Sequence, residues 1–443
     1  MSQMNDHRRL SGNCEAVQNS AYDLVRHLNS FLPPGYTIMR RKSLITGYLL
    51  LLPLILSACK GLSYDARRAM READTYLKQG LYPEKETAFK TTSHENIRVL
   101  IMSGVTEIRV SSTSLCEVRD FEEKVTLIRA QTVFPRISED GIRLDGDNSH
   151  LDRITVLATG DGMLSLNSKP YRGKVIIQRG AEEKMDVINV VGLEAYLYGV
   201  VPKEMSREWP LEALKAQAVV SRTYTIYQRE GNGNRDYDLC ATVTSQVYGG
   251  KEVESERTNR AVDETRGMVL LYNGQLILPY FHANSGGITE DAEYVWAVKL
   301  PYLKGVRDDY SMNIPNSLWK LSLPLNEIRK ALNEKGVNIG QIDRLMPVKV
   351  SPSGRVEKIK VSHSGGETII SGNEFRLKIG PTLIRSTLFS VTCDNREVHF
   401  EGKGYGHGVG MSQWGAYAMA REGYSYRDIL RYYYQEVNIR QVR

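Results

Sequence analysis

The chain has 443 residues, 41% hydrophobic and 25% charged, so it can build two or three packed domains and is not a disordered polymer. Its 58 basic and 52 acidic residues leave a net charge of +6 without a dense basic run, which argues against nucleic-acid binding. A mild positive balance suits contact with acidic polymers or lipid surfaces without requiring either.

In chain order, residues 1–38 contain no apolar core and read as an extension of the gene model upstream of a true start at Met39. Met39-Arg-Arg-Lys42 is a positive segment, and Leu44 to Leu56 is an apolar run. That run is shorter than the ~20 residues a membrane span needs, so residues 39–58 read as a secretory signal. Leu56-Ser-Ala-Cys59 resembles the cleavage box of bacterial lipoproteins, which implies that Cys59 becomes the lipidated first residue of the mature chain. Residues 59–93 are polar, with one weakly amphipathic helix expected from Tyr64 to Gln79, and read as a tether. Cysteines stand at 14, 59, 116, 240 and 393. With Cys14 upstream and Cys59 lipidated, an odd number remains, which leaves at least one free thiol.

From residue 94 to 183 short β-branched runs alternate with Gly-Asp, Asn-Ser and Asp-Gly turns. Ile97–Ile101, Ile108–Thr113, Val125–Ile128, Ile154–Leu157 and Lys174–Gln178 are expected strands of a β-rich region, either an accessory domain or one lobe of a groove. The remainder, 184–443, reads as the main body of mixed strands and helices. Val187–Val191 is a buried strand, and Leu193–Leu197 a one-turn helix after which Gly199 lets the chain turn. The loop Val200-Val-Pro-Lys-Glu204-Met-Ser-Arg-Glu-Trp-Pro210 then carries Glu204 to the start of a long alanine-rich helix. Thr258–Glu264 is helical, and Met268–Tyr272, Asn273-Gly274 and Gln275–Leu278 form a hairpin. Leu325–Lys335 is an amphipathic helix, and Val348–Val361 a second hairpin. Near the end, Gly402 to Gly410 includes five glycines around His407 and leads into a helix from Met411 to Arg421. Such a loop can hold an anion, but it lacks the Gly-Lys-Ser/Thr ending of a phosphate loop. Ser425 and Asp428 form a capping box for a last helix carrying Tyr432, Tyr433 and Tyr434, which serve as core packing or as a sugar-stacking surface. The expected class is α+β: mixed sheets and a few helices forming a groove, with a β-rich amino-terminal region.

Four segments carry a resemblance. They are Val201-Pro-Lys-Glu-Met205 with Leu214-Lys-Ala-Gln-Ala-Val-Val-Ser-Arg-Thr-Tyr224, then Thr244-Ser-Gln-Val-Tyr-Gly-Gly250, then His282-Ala-Asn-Ser-Gly-Gly287, then Gly404-Tyr-Gly-His-Gly-Val-Gly-Met-Ser-Gln-Trp-Gly-Ala416. In this order they resemble the stage II sporulation protein D family, which includes the amidase enhancers of bacterial cell walls.

The resemblance implies a lytic transglycosylase that cuts between N-acetylmuramic acid and N-acetylglucosamine in peptidoglycan strands stripped of stem peptides. It places the catalytic carboxyl on Glu204, with Glu208 as the nearest alternative. One carboxyl suffices: it protonates the glycosidic oxygen, then takes the proton of the muramic C6 hydroxyl as an anhydro ring closes. The nucleophile is already on the sugar, so no second carboxylate is required. Arg222 either pairs with the lactyl carboxylate of the substrate or bonds an internal acid and helix ends. His282, Ser285, His407 and Gln413 are the polar members of the matching segments, lining a glycan groove or holding structure. Some relatives bind zinc through a cysteine immediately before Gln-Val-Tyr. Ser245 stands there in this chain and Cys240 has no nearby His or Cys, so no zinc and no other cofactor are expected. The expected partners are glycan strands, a membrane through Cys59, and a wall amidase. The competing reading is a non-catalytic amidase enhancer, since both branches share these motifs.

Overall fold

The computed structural model describes residues 96–442 except 121, 145, 146, 233, 234, 313, 315, 316 and 395. The expected upstream extension, signal, lipidated Cys59 and tether helix lie outside these residues. Two units are distinguished: Met1–Thr87 with Cys240–Gln246, and Ala88–Leu239 with Val247–Arg443. In the first, only the short segment is described, and there the Cys240 N–H donates to Ser245 Oγ at 3.2 Å. Cys116 and Cys393 are free thiols.

The larger unit begins with eleven strands: β1 (Asn96–Val105), β2 (Val110–Arg119), β3 (Thr126–Val133), β4 (Arg136–Ser138), β5 (Gly141–Leu144), β6 (Asp147–Leu151), β7 (Arg153–Ala158), β8 (Leu164–Leu166), β9 (Lys169–Tyr171), β10 (Lys174–Arg179) and β11 (Met185–Gly192). The main sheet runs β1-β11-β10-β7-β2-β8-β9 with β3 also on β2, while β4, β5 and β6 form a small separate sheet. Strand β11 is antiparallel to both β1 and β10. Met185, Val187, Ile188, Val190 and Val191 are all buried, so β11 is covered on both faces, and it reads as a near-continuous apolar run for that reason. Strands β10 and β11 are joined by the turn at 180–184 and pair along their length.

Eight helices are described, and with the mixed sheets they make the molecule α+β. They are α1 (Leu193–Glu204), α2 (Leu211–Gly231), α3 (Glu256–Glu264), α4 (Ala292–Trp296), α5 (Leu325–Glu334), α6 (Gly372–Ile379), α7 (Gln413–Arg421) and α8 (Tyr426–Tyr433). Helix α1 corrects a sequence expectation. It does not stop after one turn but runs twelve residues, through Gly199 and Pro202 to Glu204. Gly199 serves by its size rather than by turning the chain: an added Cβ would lie 2.5 Å from the Tyr248 ring and 2.8 Å from the Gly250 carbonyl. Helix α2 starts after Pro210 and buries Ala213, Ala216 and Ala218 completely, which lets neighbouring backbone pack closely.

Met268–Tyr272 pairs with Gln275–Leu276 across Asn273 (φ 49°) and Gly274 (φ 77°), and on its other side with Asn438–Gln441. Between residues 318 and 403 lies a module with its own core. Leu318–Pro324, Glu397–Lys403 and Phe389–Cys393 form one three-stranded sheet, and Ile342–Val350, Val356–His363 and Gly366–Ser371 another. Trp319, Ile328, Leu332, Ile359, Phe375 and Phe400 pack with them into one cluster.

Candidate functional site

Glu204 is the last residue of α1, where helix carbonyls point and the dipole is negative, an unfavourable place for a carboxylate. Its side chain is half-buried. Burial pushes the carboxyl up to about 7, against the opposing pull of the Val247 N–H, the Gln413 amide and Lys203. The Val247 N–H donates to Glu204 Oε1 at 3.2 Å, which is what the Thr244–Gly250 segment contributes to the site. Gln413 Nε2 donates to the Glu204 carbonyl at 3.1 Å and to Gln217 Oε1 at 3.3 Å. Gln413 thus ties the first residue of α7 to the end of α1 and to α2. Glu208 has a side chain 82% exposed beside Arg207, so it lacks any comparable enclosure.

The third and fourth matching segments meet directly. Phe281–His282 and Met411–Ser412 form a two-residue parallel ladder, and Asn284 pairs with Tyr405. Alternate glycines make the return possible. Gly410 has φ 71°, and a Cβ there would lie 1.9 Å from the Tyr280 carbonyl. His282 is buried, its Nδ1 donating to Val409 O at 3.1 Å, while Nε2 is buried without a partner. His407 Nδ1 accepts the Val409 N–H at 3.1 Å, and the two rings sit 5.6 Å apart. Burial, then the Arg376 charge, drive His407 down to about 3, and burial holds His282 well below the ordinary range. Both imidazoles are neutral near pH 7.

Ser285 is fully buried. Its Oγ donates to Asp308 Oδ2 at 2.7 Å and contacts Ser311 Oγ at 2.5 Å, while Tyr433 donates to Asp308 Oδ1 at 2.8 Å. Burial raises the Asp308 carboxyl against these donors. Tyr433 and Tyr434 are fully buried, which matches the packing alternative for the tyrosine run. Arg222 is also fully buried, and all five of its N–H donors have acceptors. Nε and Nη2 fork onto Glu194 at 2.9 and 2.7 Å, Nη2 also reaches Val262 O, and Nη1 reaches Met268 O and Thr265 Oγ1. This is the internal-acid arrangement, with no donor left for a ligand. The amino terminus of α7 is likewise satisfied internally, since Ser412 Oγ accepts the Gly415 N–H at 3.2 Å.

Sequence reading missed an aromatic group beside Glu204. Trp209, in the loop following it, lies 4.7 Å from Trp414 and 5.1 Å from Tyr417. Trp414 directly follows Gln413, and all three rings are half-buried. The signal was present, since both tryptophans lie within or beside the matching segments. A separate cavity of about 680 Å³ is lined by Arg172, Lys251, Glu254, Asn259, Arg260 and Asp263. Its Arg172 forks onto Glu254 at 2.7 and 2.8 Å. Among the described residues, no group of three or more His, Cys, Asp or Glu side chains is placed to hold a metal.

Comparison with known proteins places these features. The family model described as stage II sporulation protein matches residues 181–272, which include α1, Glu204 and α2. A model described as a domain of unknown function (DUF8618) matches 316–410, the module with its own core. An uncharacterized protein of Brachyspira hyodysenteriae is 36% identical over 318 residues, covering 72% of this chain and 84% of that protein. Stage II sporulation protein D of Bacillus subtilis is 31% identical over 310 residues, covering 65% of this chain and 84% of that protein. The amidase enhancer of Bacillus subtilis is 35% identical over 283 residues, 54% of this chain but only 39% of that longer protein.

Proposed function

This chain belongs to the stage II sporulation protein D family, and from that premise we propose that it is a lytic transglycosylase acting on peptide-free peptidoglycan strands. The observation that carries the reading is Glu204, a half-buried carboxyl at a helix end whose proton is held up to about pH 7. A group that titrates near neutral pH can both give and take a proton in one turnover. Protonated, Glu204 delivers its proton to the glycosidic oxygen between the muramic and glucosamine rings. Ionised, it then accepts the proton of the muramic C6 hydroxyl as that oxygen closes on the anomeric carbon. The Val247 N–H steadies the ionised form between these steps, and Gln413 fixes the backbone from which Glu204 projects. Trp209, Trp414 and Tyr417 supply a stacking surface for sugar rings.

In this reading the body faces the wall from a membrane. Residues 39–58 are its signal, lipidated Cys59 its anchor, 59–93 its tether and 184–443 its catalytic region. A wall amidase that removes stem peptides prepares its substrate. The amidase-enhancer relative favours a second reading, in which the chain stimulates such an amidase without cutting glycan. Digestion of purified peptide-free strands separates them. Anhydro-muramic ends from wild type and none from Glu204→Gln support the transglycosylase. No cleavage by folded wild type, with stimulation of a wall amidase, supports the enhancer.

A further inference from the structure

Arg376, on α6 of the 318–403 module, is only 7% exposed. Among the described residues its sole hydrogen bond is Nε to the Arg385 carbonyl at 3.2 Å, and its two terminal nitrogens meet neither an acceptor nor a carboxylate. A guanidinium cannot shed its charge at neutral pH, and a buried charge is ordinarily paired. The other buried guanidinium nearby shows the contrast. Arg355 donates to the carbonyls of Ile288 and Ser285 at 2.8 and 2.5 Å, and the carboxylates of Glu290 and Asp308 offset its charge.

The surroundings of Arg376 join it to the matching segments. The Arg385 carbonyl that holds its Nε also accepts the Gly406 N–H at 2.8 Å, so the guanidinium is fixed against the glycine-rich turn beside His407. Its neighbour Tyr405 is 40% exposed, so the site borders solvent. Against His407 stands an aromatic wall: Trp296 lies 5.0 Å from the imidazole and stacks on Tyr280 at 4.2 Å. His282, next on the ladder, leaves its Nε2 without a partner. A charge with two donor nitrogens that have no protein acceptor and a group of aromatic rings therefore lie close to the same turn, which borders solvent at Tyr405.

We propose that Arg376, held beside the Gly404–Gly410 turn, receives a carboxylate carried by a sugar, with the Tyr280–Trp296–His407 rings as the wall for the sugar body. The proposal rests on the glycan reading above, under which the carboxylate is the lactyl group of a peptide-free muramic residue. It assigns the 318–403 module a part in substrate choice: strands whose lactyl groups are still amide-linked to peptide offer no charge to Arg376.

Two arms test this with the full-length protein. In the first, binding of peptide-free strands is compared with binding of the same strands after their carboxylates are converted to carboxamides, using wild type, Arg376→Met and Arg376→Lys. Wild type is expected to prefer the charged strands at least tenfold, Arg376→Met to show no preference, and Arg376→Lys to keep part of it. In the second, thermal melting is followed during titration with sodium lactate at constant ionic strength. A saturable rise is expected in wild type and not in Arg376→Met. Because the buried charge is unpaired, Arg376→Met without lactate should melt no lower than wild type, whereas a purely structural arginine would lower the midpoint. Equal binding of both strand forms by wild type overturns the proposal while leaving the glycan reading intact. A lactate effect at Arg376 with no binding of either strand form keeps the anion site and sinks the glycan reading. No lactate effect and no strand preference overturns the site altogether.

Discussion

Replacing Glu204 by glutamine should make the folded protein more stable, and only at neutral or alkaline pH. The carboxyl moves from an ordinary 4.5 to about 7 on folding because it is withdrawn from water. Each unit corresponds to about 1.4 kcal/mol, so the ceiling on the effect is about 3 kcal/mol. The Val247 N–H supports the ionised form and the side chain is half-buried, so the expected gain is about 1–3 kcal/mol. The sign follows from linkage. A folded-state value above the unfolded one means that the bound proton stabilises the fold fully below pH 4.5, and that this contribution disappears as pH rises through 7. Glutamine has no charge to withdraw and still offers an oxygen to Val247. Urea unfolding of wild type and Glu204→Gln at pH 5 and pH 8 makes the measurement. The variant's midpoint should exceed wild type at pH 8, and the gap should close toward pH 5. A gap independent of pH, or a variant less stable than wild type at pH 8, would refute the claim that Glu204 is held uncomfortably for chemistry.

Four further outcomes follow from the same geometry. The glycan-cleavage rate of wild type should fall as pH rises through about 7, because the first step needs the protonated Glu204; a rate still climbing at pH 9 contradicts its role as the acid. Gly199→Ala should destabilise by about 1–2 kcal/mol in chemical denaturation. Helix propensity favours alanine by about 1 kcal/mol, but overpacking against the Gly250 carbonyl and Tyr248 costs more, and Tyr248 is pinned by Asn189 Oδ1 at 3.0 Å. Arg222→Ala should cost about 3–5 kcal/mol, since it strands buried Glu194, while Arg222→Met with Glu194→Leu should recover most of that loss; equal losses in both would deny the pair its role. Trp209→Ala should weaken strand binding roughly tenfold in equilibrium sedimentation with insoluble glycan, leaving the unfolding midpoint within ~1 kcal/mol of wild type.

The strands and helices were largely legible because their signals are local. β-branched runs with turn residues between them marked β1, β2, β7 and β10, and Asn273-Gly274 marked its hairpin. The Ser425–Asp428 capping box formed as its spacing required. The segment around Glu204 singled it out as a candidate, but its position at the end of α1 was not legible. Gly199 and Pro202 both suggest a break, and only packing on Tyr248 shows why the helix runs on. For Arg222 an internal acid was one of two readings and for Ser285 a structural role was one of two, and the sequence could decide neither. Their partners, Glu194 and Asp308, lie 28 and 23 residues away, and only the fold reveals that these bonds consume every donor. Arg376 gave no motif at all, because what distinguishes it is a missing partner.

The ladder that joins Phe281–His282 to Met411–Ser412 closes a loop of about 130 residues containing the whole 318–403 module. Closing so long a loop is slow and entropically unfavourable until its contents are compact. The module fills that loop with a self-contained core, which shortens the effective distance once it is compact. Gln413, next in sequence after that ladder, reaches the end of α1. The enclosure that raises the Glu204 carboxyl thus depends on two positions far apart in the chain, Glu204 and Gln413, being brought together by that ladder.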